Sequence, residues 1–155
     1  MTMKIVEILD EGAIVEEISS RDKKGVLEEL VGVLVKEGRI SDGKEAIQVL
    51  LEREKLGSTG IGEGIAIPHG KLPDLKNVVC AFGRSRTGID FEAVDNQPVH
   101  LFFLLLAPEN SAGEHLKALA RISRLLKDNH FRQRLLEAKD KKEIYEIIVE
   151  EDEKY

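Results

Sequence analysis

Apolar and polar positions divide the chain into a helical opening, a strand-rich middle and a helical end. Short apolar pairs (Ile5-Val6, Ile8-Leu9, Ile14-Val15) predict one strand within residues 4–18. Val26, Leu27, Leu30, Val31 and Leu34 then recur on one helical face, after a start signal at Ser19 and Asp22 and before a stop at Gly38. Asp42 with Glu45 opens a second helix, whose inner face would hold Ala46, Ile47, Leu50 and Leu51 and whose C-terminal end carries Arg53 and Glu54. Strand-like segments follow at 60–67, 78–84, 89–91 and 99–107. Leu101 to Leu106 is apolar at every position, so that strand should be covered on both faces. Ser111 with Glu114 reads as a capping box for a helix with Leu116, Leu119, Ile122, Leu125 and Leu126 inward. A short helix from Asp128 or Asn129 through Leu136 comes next. A last one starts at Asp140 and Glu143 and carries Ile144, Tyr145, Ile147 and Ile148. Residues 150–155 read as a frayed acidic tail. The pattern predicts a single domain over 1–149: a three-layer α/β/α sandwich with a mixed sheet of four to five strands and about five helices.

Composition narrows the setting. With 155 residues, 42% hydrophobic and 34% charged, the chain has enough apolar material for one real core. Its net charge of −6 argues against a general nucleic-acid binder and against a peripheral anchor on anionic lipid. No apolar run approaches the roughly 20 residues of a membrane span. The N-terminal residues, with Glu7 and Asp10 close behind Met1, Thr2, Met3 and Lys4, lack the apolar core of a signal peptide. The single Cys80 cannot form an internal disulfide, so a reducing cytoplasm is expected.

The candidate chemistry lies in GSTGIGEGIAIPHGK, Gly57 to Lys71. Gly57, Gly60, Gly62 and Gly64 would let backbone N–H groups approach an anion, and His69 follows them between Pro68 and Gly70. Imidazole is a side chain able to carry a phosphoryl group as a nucleophile at neutral pH. Pro68 fixes the backbone before it, and Gly70 is expected to leave its far side open. Neither common nucleotide loop fits. A Walker-type loop would need glycine at Ile65 and a hydroxyl at Leu72, and the glycine spacing is not that of the dinucleotide fingerprint. Ser58 and Thr59 offer hydroxyl donors, although such residues also serve simply as turn formers. Arg53 offers a permanently charged guanidinium. His115 sits where a helix N-terminus favours an anion. His100 and His130 read as structural, and neither has a partner at a metal-ligand spacing; His69 and His115 together could bind a metal, but no carboxylate cluster in the sequence supports it, so no metal and no cofactor is expected.

Arg53-Glu54 followed by the glycine run and Pro68-His69-Gly70 resembles the phosphorylation signature of the fructose/mannitol-type IIA components of the bacterial phosphoenolpyruvate-dependent sugar phosphotransferase system. The likeness is greatest to the nitrogen-regulatory branch. It continues through Ala93 to Pro108 and Glu114-His115-Leu116, so it covers almost the whole chain in one order. The resemblance implies a cytoplasmic phosphotransferase with a phosphohistidine intermediate. His69 would be phosphorylated on Nε2 with Nδ1 held by a backbone carbonyl, His115 would be its partner histidine, and Arg53 the stabilising cation. Gly57, Ser58, Thr59, Gly60, Gly62, Gly64 and Gly70 would form the phosphate loop.

The implied donor is a phosphorylated HPr-type carrier. The implied recipient is a regulated target protein or, in a sugar-transport alternative, a separate IIB chain. A third reading, of another class, is an interaction domain that works without phosphorylation. Intact His69, Arg53 and His115 count against it.

Overall fold

A computed structural model describes residues 4–155; Met1, Thr2 and Met3, which belong to the N-terminal segment read above, lie outside them. The Asp22 carboxylate accepts the Gly25 N–H at 2.7 Å and so fills a donor that the first helical turn leaves open. That cap starts α1 (Lys23–Lys36), which buries Val26, Leu27, Leu30, Val31 and Leu34. Gly38, with φ +71°, ends it. α2 (Gly43–Lys55) begins in the same way, Asp42 accepting from the Glu45 N–H at 3.0 Å. It buries Ala46, Leu50 and Glu54 and leaves Ile47 and Leu51 half-buried.

Among the described residues six strands form one mixed sheet: β1 (Ile14–Val15), β2 (Gly60–Gly62), β3 (Ile65–Ala66), β4 (His69–Leu72), β5 (Val79–Ile89) and β6 (Val99–Pro108). The order is β1-β5-β6-β3-β2, and β4 continues along β6 where β3 leaves off. β5 and β6 are antiparallel, whereas β1 joins β5 in parallel. β3 and β4 both run parallel to β6, with Ile65 opposite Leu101 and His69 opposite Leu105. Leu101 to Pro108 are all buried, as a strand covered on both faces requires.

Neighbouring residues of β5 point into the two covering layers. A side chain at Gly83 would meet Ile18 and Leu30 of α1, whereas Arg84 reaches the other side and donates to the carbonyls of Leu135 and Ala138 at 2.9 and 2.6 Å. α1 and α2 therefore make one layer. α3 (Ala112–Leu126), α4 (Asn129–Glu137) and α5 (Lys141–Glu153) make the other.

The structure corrects several expectations. The strand predicted over 60–67 is a broken hairpin, because Gly62, Glu63 and Gly64 all take positive φ (+99°, +59°, +75°) and turn the chain back. The segment 78–84 and the start of 89–91 run together in β5, which ends at Ile89 and leaves Asp90 and Phe91 outside any strand; its register against β6 shifts between Arg84 and Ile89. β4 was not foreseen, since His69-Gly70-Lys71-Leu72 has neither β-branched residues nor an apolar run. In α3 Leu116 is 66% exposed, while His115, Ala118 and Arg121 turn inward. Ser111 does not cap α3; its hydroxyl donates to Pro108 O at 3.0 Å. The expected frayed tail is mostly ordered helix. α5 runs to Glu153, and Asp152, 1% exposed, accepts from Arg121 Nε at 2.6 Å.

Candidate functional site

A Cβ added at Gly70 would lie 2.5 Å from Val49 Cγ1. The glycine is thus what lets α2 lie against β4, and the open space expected beside it is filled. Because successive strand residues alternate faces, His69 and Lys71 point away from α2, into the layer that holds α3. There the His69 ring meets His115 edge to face, with centroids 5.5 Å apart and planes at 67°. His69 Nδ1 lies 2.8 Å from Ile67 O. A carbonyl only accepts, so Nδ1 carries the proton and, in the neutral ring, Nε2 keeps its lone pair.

His115 occupies the first turn of α3 and is buried. Its Nε2 is shut away from solvent with no hydrogen-bond partner among the described residues. Burial first, then the nearby His69 and Lys71, pull its pKa below the ordinary histidine value. At neutral pH the ring is uncharged, with an unspent polar edge next to His69.

Arg53 lies one helical turn beyond Val49, on the same side of α2. Asp42 and Glu45, at the start of α2, share a cavity with Leu72 at the end of β4. The helix therefore runs against the strand and carries Arg53 toward the His69 end. Arg53 Nη1 donates to Gly57 O at 2.9 Å.

The glycine run turns its polar groups largely inward. The Gly57 N–H donates to Glu54 O at 3.1 Å, and the Thr59 N–H to Glu54 Oε1 at 3.1 Å. The Thr59 hydroxyl donates to Glu54 Oε2. Ser58 Oγ donates to Phe91 O at 2.8 Å and accepts the Gly60 N–H at 3.0 Å. Lys23 Nζ completes the cluster, 3.1 Å from the buried Glu54 carboxylate. A Cβ at Gly60 would sit 2.8 Å from that of Ala93, so this glycine serves close backbone packing. Gly62 and Gly64 serve the hairpin turn. Sequence reasoning missed both the Glu54–Thr59–Lys23 cluster and Lys71. An acidic residue three positions before a Gly-Ser-Thr turn was the one available signal for the former.

His100 Nδ1 donates to Ser85 O at 2.8 Å, and His130 is exposed at the start of α4. Among the described residues no group of three or more His, Cys, Asp or Glu is placed to hold a metal ion, and no helix is long and apolar enough to cross a membrane.

A mixed sheet between two helical layers, with one imidazole on a strand start and a second against it from a helix start, defines a histidine-presenting α/β/α domain. The chain belongs to the family of the phosphoenolpyruvate-dependent sugar phosphotransferase system, EIIA 2, which matches residues 7–151. It is similar to the PTS system fructose-specific EIIABC component of Bacillus subtilis, 45% identical over 97% of this chain but only 24% of that protein. The chain thus spans about a quarter of that relative's length. It is 44% identical to a nitrogen regulatory protein of Bradyrhizobium diazoefficiens, over 94% of this chain and 95% of the relative. Among solved structures it resembles the nitrogen regulatory protein IIA-Ntr from Neisseria meningitidis, with a TM-score of 0.85 and 38% identity over 93% of this chain and 98% of that one.

Proposed function

We propose that the chain is a phosphocarrier that accepts a phosphoryl group on His69 Nε2 from a phosphorylated HPr-type protein or its nitrogen-branch paralogue. The observation that carries this reading is the His69 Nδ1 to Ile67 O hydrogen bond, which leaves Nε2 as the free nucleophile beside a neutral histidine. The Nε2 lone pair forms the new N–P bond as the donor's N–P bond breaks and returns its electron pair to the donor imidazole. Such transfer is governed by position and electrostatics. His115 would donate an N–H to a phosphoryl oxygen and so satisfy its own unpaired edge, while Arg53 supports the charge from the α2 side. Gly70 brings α2 close. Gly57, Ser58, Thr59, Gly60, Gly62 and Gly64 contribute by holding the end of α2 and the hairpin in place.

In this reading phosphorylation of His69 places a charge that a regulated target protein senses, as suits the nitrogen-regulatory relatives. The similar identity to a fructose-specific component favours a second reading, in which phosphate passes to a IIB partner and the chain acts as a phosphotransferase in sugar uptake. Both place the work in the cytoplasm. The deciding experiment is intact mass after incubation with phosphoenolpyruvate, the upstream kinase and HPr or its paralogue. A gain of one acid-labile, alkali-stable phosphate, absent in His69→Ala, supports the phosphocarrier. No gain with active carriers would leave an interaction domain that works without phosphorylation.

A further inference from the structure

We infer that Lys71 is the cation that engages the phosphoryl oxygens on His69 from the α3 side, an inference that rests on the phosphocarrier reading. Lys71 stands two residues after His69 on β4, and both face away from the packed Gly70–Val49 contact. Two residues along a strand separate their Cα atoms by about 7 Å, within reach of a four-carbon side chain. Lys71 is exposed and belongs to no ion pair among the described residues. After burial and His69, its charge is a further cause that lowers the pKa of the buried His115 ring.

Arg53 differs on both counts. It comes from α2, on the opposite face of β4, and is tied to the Gly57 carbonyl. The two cations thus come from opposite faces of β4, one held by a hydrogen bond and the other exposed. An ammonium on a flexible stem can follow the phosphoryl group as it arrives and leaves, because it acts as a point charge without the fixed fork of a guanidinium. A phosphoryl group of about −1.5 to −2 charge gives Lys71 the partner it lacks in the free protein.

The test is the equilibrium of phosphate between a phosphorylated HPr-type donor and this chain, read by intact mass for wild type, Lys71→Gln and Lys71→Arg. Lys71→Gln is expected to shift it about tenfold toward the donor, as loss of one charge-assisted hydrogen bond does, with a smaller shift at high salt. Lys71→Arg should stay near wild type, since the charge is kept. The pKa of His115, followed by NMR, should rise in Lys71→Gln, a change that lost packing at an exposed side chain would not cause. A wild type phosphorylated at His69 beside a Lys71→Gln variant with the same equilibrium overturns the role of Lys71 alone. A wild type that takes no phosphate from an active donor overturns the phosphocarrier reading and this inference with it.

Discussion

Gly70 and Val49 meet where α2 packs on β4: a single added methyl would sit 2.5 Å from Val49 Cγ1. The strand residue beside the proposed nucleophile is thereby fixed in its face. Gly70→Ala should destabilise the fold by about 1–3 kcal/mol through overpacking. The double variant with Val49→Ala should recover much of that loss. Urea unfolding of the four proteins measures the coupling, and strict additivity would deny the contact.

His115 should titrate below the ordinary histidine value of 6.5, as burial and the neighbouring His69 and Lys71 disfavour its charged form. Well above that value both folded and unfolded chains hold the ring neutral, and it adds no pH dependence to stability. As pH falls through the unfolded value, the unfolded chain takes up a proton that the folded one refuses, so stability declines. His115→Gln should remove this part of the decline in a denaturation series between pH 7.5 and 5, on the order of the histidine titration range. Once His69 carries phosphate, the adjacent negative charge should move the pKa of His115 upward. A pKa unmoved by phosphorylation would separate His115 from the phosphoryl group.

Thr59→Val strips a hydroxyl from the buried Glu54 carboxylate while leaving the Thr59 N–H in place. A loss of about 1–3 kcal/mol in stability is expected. Phosphate acceptance at His69 should persist in the folded variant. A collapse of acceptance without a loss of stability would return Thr59 to the phosphate site.

Asp152→Ala removes the carboxylate that faces Arg121 at 2.6 Å, with both side chains buried. Breaking a buried pair from one side typically costs about 3–5 kcal/mol, because the remaining charge is left uncompensated. Asp152 O also accepts from Lys4 Nζ at 3.0 Å, so the two ends of the described chain meet here. A variant as stable as wild type in urea would mean that solvent reaches Arg121.

Local pattern sufficed where one face alone decides an element. The buried face of α1 is the set that its spacing predicts, and β6 is buried as its unbroken apolar run requires. It failed where polar groups are buried by partners far along the chain. His115 and Arg121 turn α3 away from the Leu116 face because one meets His69 and the other Asp152. The acidic end of the chain reads as solvated until Arg121 is seen beside it. In the candidate site, the signature drew attention to His69, His115 and Arg53, and the chain does bring the two histidines together. It could not show that the hydroxyls of Ser58 and Thr59 are taken by Phe91 O and Glu54, since those pairings depend on how the hairpin folds back.

β6 has two successive partners on one side, and the handover between them falls at Ile67 and Pro68. The Pro68 carbonyl resumes the pairing by accepting from the Leu105 N–H, while the Ile67 N–H turns to Thr59 O. The Ile67 carbonyl is left to the imidazole two residues on. A missing rung in the sheet thus selects the tautomer, and the basic nitrogen of His69 is chosen by backbone geometry before any partner arrives.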